Sequence, residues 1–338
     1  MDTEQIRLAD TYAQIGRKLE LLLQTGQILM ENGANSRRIV RIMKRVAAYM
    51  DIAEERLHIH ITYTTIMANV SIGDQSLTKF QKCYTHGVDM AVIAGLSQLS
   101  IRALKEDYSL EEYSRQLYRI RTRSRSYSTL FMTLGVGIAC GGFCKLLGGD
   151  WPASFYTALC AIAGFWTRRQ LGRFELGPYV GIFTAAFAAT CLAFFTHWLP
   201  SSTPWHPMLA CALFIMPGIP LINAVDDLLE NHIVSGMTRA VNALLIVVSM
   251  SFGIVLAIRL CGVQDFTALS LEPRGSYLTY AVAAAIASVG FSTLFNTPRR
   301  LLWVIALGGA LSVCVRNYLS FELGVGPGIC LLYTSRCV

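Results

Sequence analysis

From Thr129 onward the chain repeats one pattern: apolar runs separated by short polar turns. Each run is about twenty residues long, the length at which a helix crosses the hydrocarbon layer of a bilayer. Inside that layer every backbone polar group must be bonded within the protein, so helices or closed barrels are the only spanning solutions. The runs are continuous rather than alternating, which selects helices. Seven such segments can be drawn, at roughly 129–147, 151–167, 179–199, 205–222, 237–260, 277–296 and 301–318. The second and seventh are short enough to pack inside a bundle rather than face lipid. The pattern predicts a polytopic α-helical membrane protein of about seven transmembrane helices. Composition agrees: 53% of the 338 residues are hydrophobic and only 15% are charged, where a soluble chain carries about 25% charge.

Most of the charge lies in residues 1–128, which read as a separate α+β domain. An apolar stripe at Tyr12, Ile15, Leu19, Leu22, Leu23, Gly26 and Met30 has helical spacing. "ENGANS" then punctuates, with Gly33 suited to a helix end and Asn35 or Ser36 to the next N-cap. A second helix carries Ile39, Ile42, Met43, Val46 and Met50 on one side. Residues 57–72 change to a period of two and predict one or two strands. Helical periodicity returns near 86–105, and "SLEE" at 109–112 is a capping box with Ser109 as cap. The domain shows no nucleophile–base pair, phosphate loop or metal cluster, so the chain is expected to be no enzyme, with no catalytic residue, metal or cofactor. A gating, regulatory or assembly role is the expectation for it.

Charge also predicts orientation. Arg119, Arg121, Arg123 and Arg125 stand directly before the first apolar run. The positive-inside rule places them, and the domain they follow, in the cytoplasm. Arg168, Arg169 and Arg173, then Arg239, then Arg299 and Arg300 recur at alternate loops, whereas "GGD" and "HWLPSSTPWH" carry no Lys or Arg; Lys145, Arg259 and Arg274 are partial exceptions. Nothing like a secretory signal opens "MDTEQIRLADTYAQIG", so the first span is expected to direct insertion. A nucleic-acid use of "RIRTRSRS" is the weaker reading beside this topological one. The ten cysteines include no C-x-x-C pair, and packing is their simplest use. Gly137 and Gly141 form a small-xxx-small packing pair.

The membrane part contains a partial internal repeat. "RFELGPYVG" at 173–181 recurs as "SFELGVGPG" at 320–328, with the two FELG tetrads 147 residues apart. Each follows the second helix of a set, which matches the first span to the sixth and the second to the seventh. Five spans lie between the two starts, an odd number, so a second copy inserts upside down. Inverted repeats of this kind characterise secondary transporters, with the site near the midplane at discontinuous helices. The domain organisation expected is 1–128, a first five-helix repeat at 129–260, and the start of a second repeat at 277–338. A second Pro-Gly segment would fall beyond residue 338. The sequence therefore reads as C-terminally truncated, or as completed by a separate subunit.

The fourth run is the discontinuous one. In "FIMPGIPLINAVDDLLENH" (214–232), Pro217 and Pro220 lack the N–H that a helix interior needs, which would free the carbonyls of Leu213 and Met216. Asn223, Asp227 and Glu230 then share one helix face. Intramembrane acids are costly and point to function; the structural alternative is that the helix ends near Asn223 and leaves Asp226 and Asp227 in a cytoplasmic loop. The candidate pathway is Pro217, Gly218, Asn223, Asp227 and Arg239, with Asp227 either carrying a coupling proton or holding Arg239. Glu175, beside Gly177-Pro178, is a second candidate acid, and pairing with Arg168, Arg169 or Arg173 is its structural alternative.

"PGIPLINAVDDLLENHIVSGMTRA" (217–240) resembles the signature of the threonine/serine exporter family in Pro217, Gly218, Asn223, Asp227, Ser235, Gly236 and Arg239. Residues 21–50 are similar to that family's opening helices, with Gly33, Ala34, Arg38 and Met43 at matching places. "GFSTLFNTPRRLLWVIALGGAL" (290–311) resembles the start of its second membrane domain. Asp226 and Val40 depart from the family pattern. The resemblance implies export of small amino acids or, as in split relatives, of dicarboxylates such as succinate, driven by the proton motive force in a bacterial inner membrane. Its implied partners are lipid, a small hydrophilic metabolite, the proton, and either further copies or a second subunit, with no nucleic acid. A membrane sensor or scaffold with a partner-binding cytoplasmic domain is the rival class. The absence of G-x-x-x-x-G-K-[ST] favours secondary coupling over an ATP pump.

Overall fold

A computed structural model describes residues 3–72, 75–123, 125–174, 177–263 and 276–321. Its elements in chain order are α1 (Thr3–Glu31), α2 (Ser36–Tyr49), β1 (Leu57–Ile61), β2 (Thr65–Ile72), β3 (Gln75–Lys82), α3 (Met90–Glu106) and α4 (Leu110–Arg121). Then come α5 (Thr129–Leu146), α6 (Trp151–Leu171), α7 (Pro178–Phe195), α8 (His206–Ala210), α9 (Gly218–Leu229), α10 (Ile233–Leu260), α11 (Tyr277–Leu294) and α12 (Leu302–Phe321). The chain forms two compact units: residues 1–125 with 218–242, and residues 126–217 with 243–338. The first therefore takes in α9 and the opening turns of α10, a segment that the sequence pattern groups with the first membrane repeat.

In the first unit the helical stripe of α1 buries Leu19, Leu22, Leu29 and Met30. They meet Ile39, Ile42, Met43 and Val46 of α2, Leu96 and Leu99 of α3, and Tyr113 and Leu117 of α4 in one core. Gly26 belongs to that stripe because α2 and β2 come close there: a Cβ on it would fall 2.7 Å from Met43 Sδ and 3.1 Å from Ile66 Cδ1. The sheet is antiparallel in the order β1-β2-β3. Ile66, Ala68 and Val70 of β2 point into the core while Met67 is exposed, the alternation a half-buried strand requires. His58 and His60 lie on the exposed face of β1, so they are not core residues. Asn35 caps α2 by accepting from Arg38 N–H at 3.0 Å, and Ser109 caps α4 by accepting from Glu112 N–H at 3.2 Å.

Along the chain all seven predicted runs prove helical in whole or part. Among the described residues, five helices are long and apolar enough to cross a membrane: α5, α7 with the turn after it, α10, α11, and α12 with the turn before it. The count is six if His206–Ile215 and Gly218–Leu229 form one broken span. α6 has 21 residues but is not among these spans; its sequence interleaves Trp, Ser, Tyr and Thr with the apolar residues and carries Arg168 and Arg169 in its last turn. The described chain is thus mostly helical, with five or six candidate spans against the seven expected.

Small residues let these helices approach. A Cβ on Gly137 would meet Ile162 at 2.8 Å, and one on Gly141 the Ser154 carbonyl at 2.8 Å, so this pair seats α5 on α6. Gly290 of α11 lies equally close to α5, its Cβ position 2.5 Å from the Gly135 carbonyl oxygen. Contact between backbones is what helices exploit in lipid, where apolar burial alone gives little drive. The outward faces keep large apolar side chains exposed, among them Phe131, Leu134 and Ile138 on α5, Leu244, Val248 and Phe252 on α10, and Leu307 and Leu311 on α12. Exposed apolar surface on this scale marks a lipid-facing wall.

One polar knot ties the loops of this unit. Asp150 caps α6 through Ala153 N–H at 2.7 Å and also accepts from Ser202 N–H at 2.6 Å, Ser202 Oγ at 2.9 Å and Ser201 Oγ at 3.0 Å. Burial alone would raise its pKa. These donors outweigh that and hold it down at about 2. The stability it contributes is present above the ordinary carboxylate range and is lost as pH falls toward about 2. We predict that Asp150→Ala destabilises the chain by about 1–2 kcal/mol at neutral pH. The gap from wild type should close in thermal melts below the ordinary carboxylate range. A gap that persists there would contradict the assignment.

Candidate functional site

The candidate site lies within the first unit and is built on the turn between α1 and α2. Helix α1 ends at Glu31 and the chain turns at Gly33, whose φ of +86° is left-handed. A Cβ there would also fall 2.8 Å from the Gly87 carbonyl oxygen, so both conformation and space call for glycine. The turn then runs Gly33-Ala34-Asn35-Ser36-Arg37, and one face of α9 meets it in order. Asn223 Nδ2 donates to the Gly33 carbonyl at 2.8 Å. Asp226 accepts from Asn35 Nδ2. Asp227 accepts from Ser36. Glu230 pairs with Arg37. Positions 223, 226, 227 and 230 share a helix face because of the 3.6-residue period.

Asp227 is the centre of this set and is 1% exposed. Its Oδ1 accepts from the Ser36 N–H at 2.8 Å, in the first turn of α2. Its Oδ2 accepts from the Ser36 hydroxyl at 2.8 Å and the Ser235 hydroxyl at 3.0 Å. Arg239 Nε stands 3.0 Å from Oδ2. That separation is an ion pair, but the N–H is not aligned as a hydrogen bond, so the contact is chiefly Coulombic. A carboxylate at a helix N-terminus also gains from the partial positive charge there. The close packing extends to Gly236, where a Cβ would meet Leu228 at 2.8 Å and the Ala224 carbonyl at 3.0 Å.

Arg239 is buried as well, at 4% exposure. Its Nη2 donates to the Ala34 carbonyl at 3.0 Å and lies 3.1 Å from Met30 Sδ. The guanidinium lies 5.5 Å from the centre of the Tyr63 ring, a cation–π contact. Tyr63 stacks on His86 at 3.9 Å on its ring side, and its hydroxyl accepts from Asn242 Nδ2 at 3.2 Å. Burial and the nearby charge of Arg239 hold the His86 pKa below its ordinary value, against the opposing charge of Glu31. Among the described residues, no group of His, Cys, Asp and Glu is arranged to hold a metal ion.

The predicted residues fall as follows. Asn223, Asp227 and Arg239 come together. Gly218 opens α9, where a Cβ would meet nothing within 4 Å. Pro217 is the last residue before it and lies in the other unit. Pro220 stands in the first turn of α9, where a helix has no partner for the missing N–H in any case. The Leu213 carbonyl is not freed as the sequence suggested: Met216 N–H closes a tight turn onto it at 3.1 Å. Glu175 and the second FELG beyond its Phe321 lie outside the described residues. Ser36, Arg37, Tyr63 and Asn242 were not foreseen as site residues. The signal for the first two was "GANSRR", a polar turn more heavily furnished than a helix link needs.

The model of the ThrE family, described as "Putative threonine/serine exporter", matches residues 20–261. The chain belongs to the threonine/serine exporter family. That match takes in both the Gly33–Arg37 turn and the 218–242 segment that closes on it. Among relatives of this exporter-family chain, the "Probable succinate transporter subunit YjjP" of Escherichia coli K12 is 31% identical over 254 residues, covering 73% of this chain and 95% of the relative. The protein of the same name from Klebsiella aerogenes is 28% identical over 251 residues, with the same shares covered. A "Probable threonine/serine exporter" of Mycobacterium tuberculosis is 18% identical over 241 residues, covering 71% of this chain and 46% of that protein. No solved structure matches. The family and the apolar helices make this an integral membrane protein of a transporter family.

The buried pair yields a prediction. Removing either partner strands a charge, so Asp227→Ala and Arg239→Met should each cost about 3–5 kcal/mol, whereas Asp227→Ala with Arg239→Met should cost much less than the sum. Melts of the four chains in detergent measure this. Additive losses would contradict a coupled pair.

Proposed function

We propose that this chain is a secondary exporter that moves small amino acids of the threonine/serine kind, or short carboxylates, out of the cell on the proton motive force. It would act in a bacterial inner membrane, with residues 1–128 on the cytoplasmic side, as the arginines before α5 favour. The observation that carries this reading is family membership joined to a polar set in which buried Asp227 and Arg239, with half-buried Asn223, close on the Gly33–Arg37 turn. The pathway proposed runs by Pro217, Gly218, Asn223, Asp227 and Arg239, with Glu175 as a further acid. Asp227 serves it by holding Arg239 in place, and proton carriage by the same carboxylate is the companion proposal. Because two relatives are named as transporter subunits, a separate second subunit is the partner proposed first, ahead of a homo-oligomer.

The test is efflux of labelled threonine, serine and succinate from proteoliposomes, with the chain alone and with a candidate second subunit, with and without a proton gradient. Gradient-dependent efflux of at least one of the three is expected. Asp227→Asn, inserted at normal levels, should abolish it. Efflux unchanged in Asp227→Asn removes Asp227 from the mechanism. No flux of any of the three under all conditions would favour the rival reading, a membrane sensor whose first unit binds a partner.

A further inference from the structure

Helices α7 and α10 pack directly on each other in the second unit. A Cβ on Gly253 would fall 2.5 Å from the Phe183 carbonyl oxygen and 3.1 Å from the Phe187 nitrogen. The Phe183 and Phe252 rings lie 5.9 Å apart beside that contact. Cys191 is eight residues beyond Phe183, and Cys261 is eight beyond Gly253. Eight residues of helix rise about 12 Å, so a parallel pair of helices brings these cysteines level. Their side chains do meet: the Cys191 thiol has the Cys261 thiol as a hydrogen-bond partner.

The surroundings set this pair apart from the neighbouring cysteines. Cys140, Cys144, Cys160 and Cys211 are buried, as packing residues are, whereas Cys191 and Cys261 are half-buried, and all are free thiols. Cys261 is fixed where α10 ends. Gly262 is left-handed there, with φ +67°, and the Val263 N–H returns to the Ile258 carbonyl at 3.3 Å. Val263 then packs on the core of this unit. Cys191 lies within the last two turns of α7. Both backbones are thus held with the thiols against each other, which is the condition a disulfide sets. In the proposed orientation both helices begin beside cytoplasmic arginines, with Arg259 as the exception to the pattern. Both cysteines then lie toward the outer face, the side on which disulfides persist.

We propose that Cys191 and Cys261 are a reversible disulfide site that clamps the end of α10 to α7. The bond forms by exchange with a small-molecule disulfide, the oxidant of the step. One Cys thiolate attacks a sulfur of that disulfide, whose S–S bond breaks and releases one thiol. The second Cys thiolate attacks the mixed disulfide and releases the other thiol. Two protein S–H groups become one S–S bond, and their two protons end on the two released thiols. The site rests on the exporter reading only for the side of the membrane that it faces.

Right-side-out and inside-out membrane vesicles carrying the full chain are treated with glutathione disulfide, which does not cross the bilayer. After alkylation under denaturing conditions the products are read by peptide mass spectrometry. A 191–261 linkage is expected in right-side-out vesicles, with Cys140, Cys160 and Cys211 still free. Dithiothreitol should remove it, and Cys191→Ser or Cys261→Ser should abolish it. In detergent the linked chain should melt about 5 °C or more above the reduced one, a gap absent from Cys191→Ser. No linkage with glutathione disulfide on either side or with membrane-permeant diamide would overturn the site. Equal melting of linked and reduced chains would overturn the clamp. Linkage in inside-out vesicles alone would leave the pair standing and overturn the proposed orientation. If the linkage forms and reverses as expected while no solute is exported, the exporter reading fails and the site stands.

Discussion

A carboxylate with almost no access to water must be met by donors on every side, and that requirement organises the first unit. Asp227 finds them in the Ser36 backbone N–H and the hydroxyls of Ser36 and Ser235, with the Arg239 guanidinium beside it as counter-charge. Each donor in turn fixes something else. Ser36 opens α2, so its position depends on the left-handed turn at Gly33 and the cap at Asn35. Ser235 and Arg239 lie one turn apart on α10, so that helix presents a hydroxyl and a guanidinium together. Removing any of these leaves a charge or a backbone group buried without compensation, which costs more than the contact itself contributes. A motif of scattered polar letters thus reads as one electrostatic assembly.

The second unit follows different physics. Its helices approach through glycine and alanine rather than through large interlocking side chains, as at Gly137, Gly141 and Gly290. Its big apolar residues point outward instead. In water this arrangement would be inside out; in lipid it is the expected one, since hydrocarbon offers apolar side chains the same environment the protein interior does. Polar groups inside the unit are satisfied locally, as when the Thr157 hydroxyl donates to the Ala153 carbonyl of the turn before it.

Much of this was legible in the sequence because it depends on local periodicity. The stripe of α1, the side of α2 carrying Ile39 and Met43, the Ser109 cap and the α5 glycine pair need only neighbours three or four residues away to be seen. β3 was not foreseen. Its residues Gln75–Lys82 are largely exposed, so no buried alternation marks it, and its identity comes from pairing with β2. The face shared by Asn223, Asp227 and Glu230 was visible, but its counterpart was not. Ser36 and Asp227 are 191 positions apart, and nothing in either stretch names the other. Complementary chemistry across such a gap is specified by the tertiary fold, and sequence spacing is blind to it. The proline breaks were read as freeing two carbonyls, when a local tight turn at Met216 uses one of them.

The claim on which the rest depends is that the polar face of α9 is seated on the Gly33–Arg37 turn. Paired cysteines at Asn35 and Asp226, whose side chains touch, test it most directly. In the full chain in membranes, mild oxidation followed by peptide mass spectrometry should recover a 35–226 disulfide. Its yield should match that of a control pair at His58 and Asn69, which face each other across β1 and β2. Cross-linking of the control pair without any 35–226 product would contradict the seating of α9, and with it the assembly around Asp227.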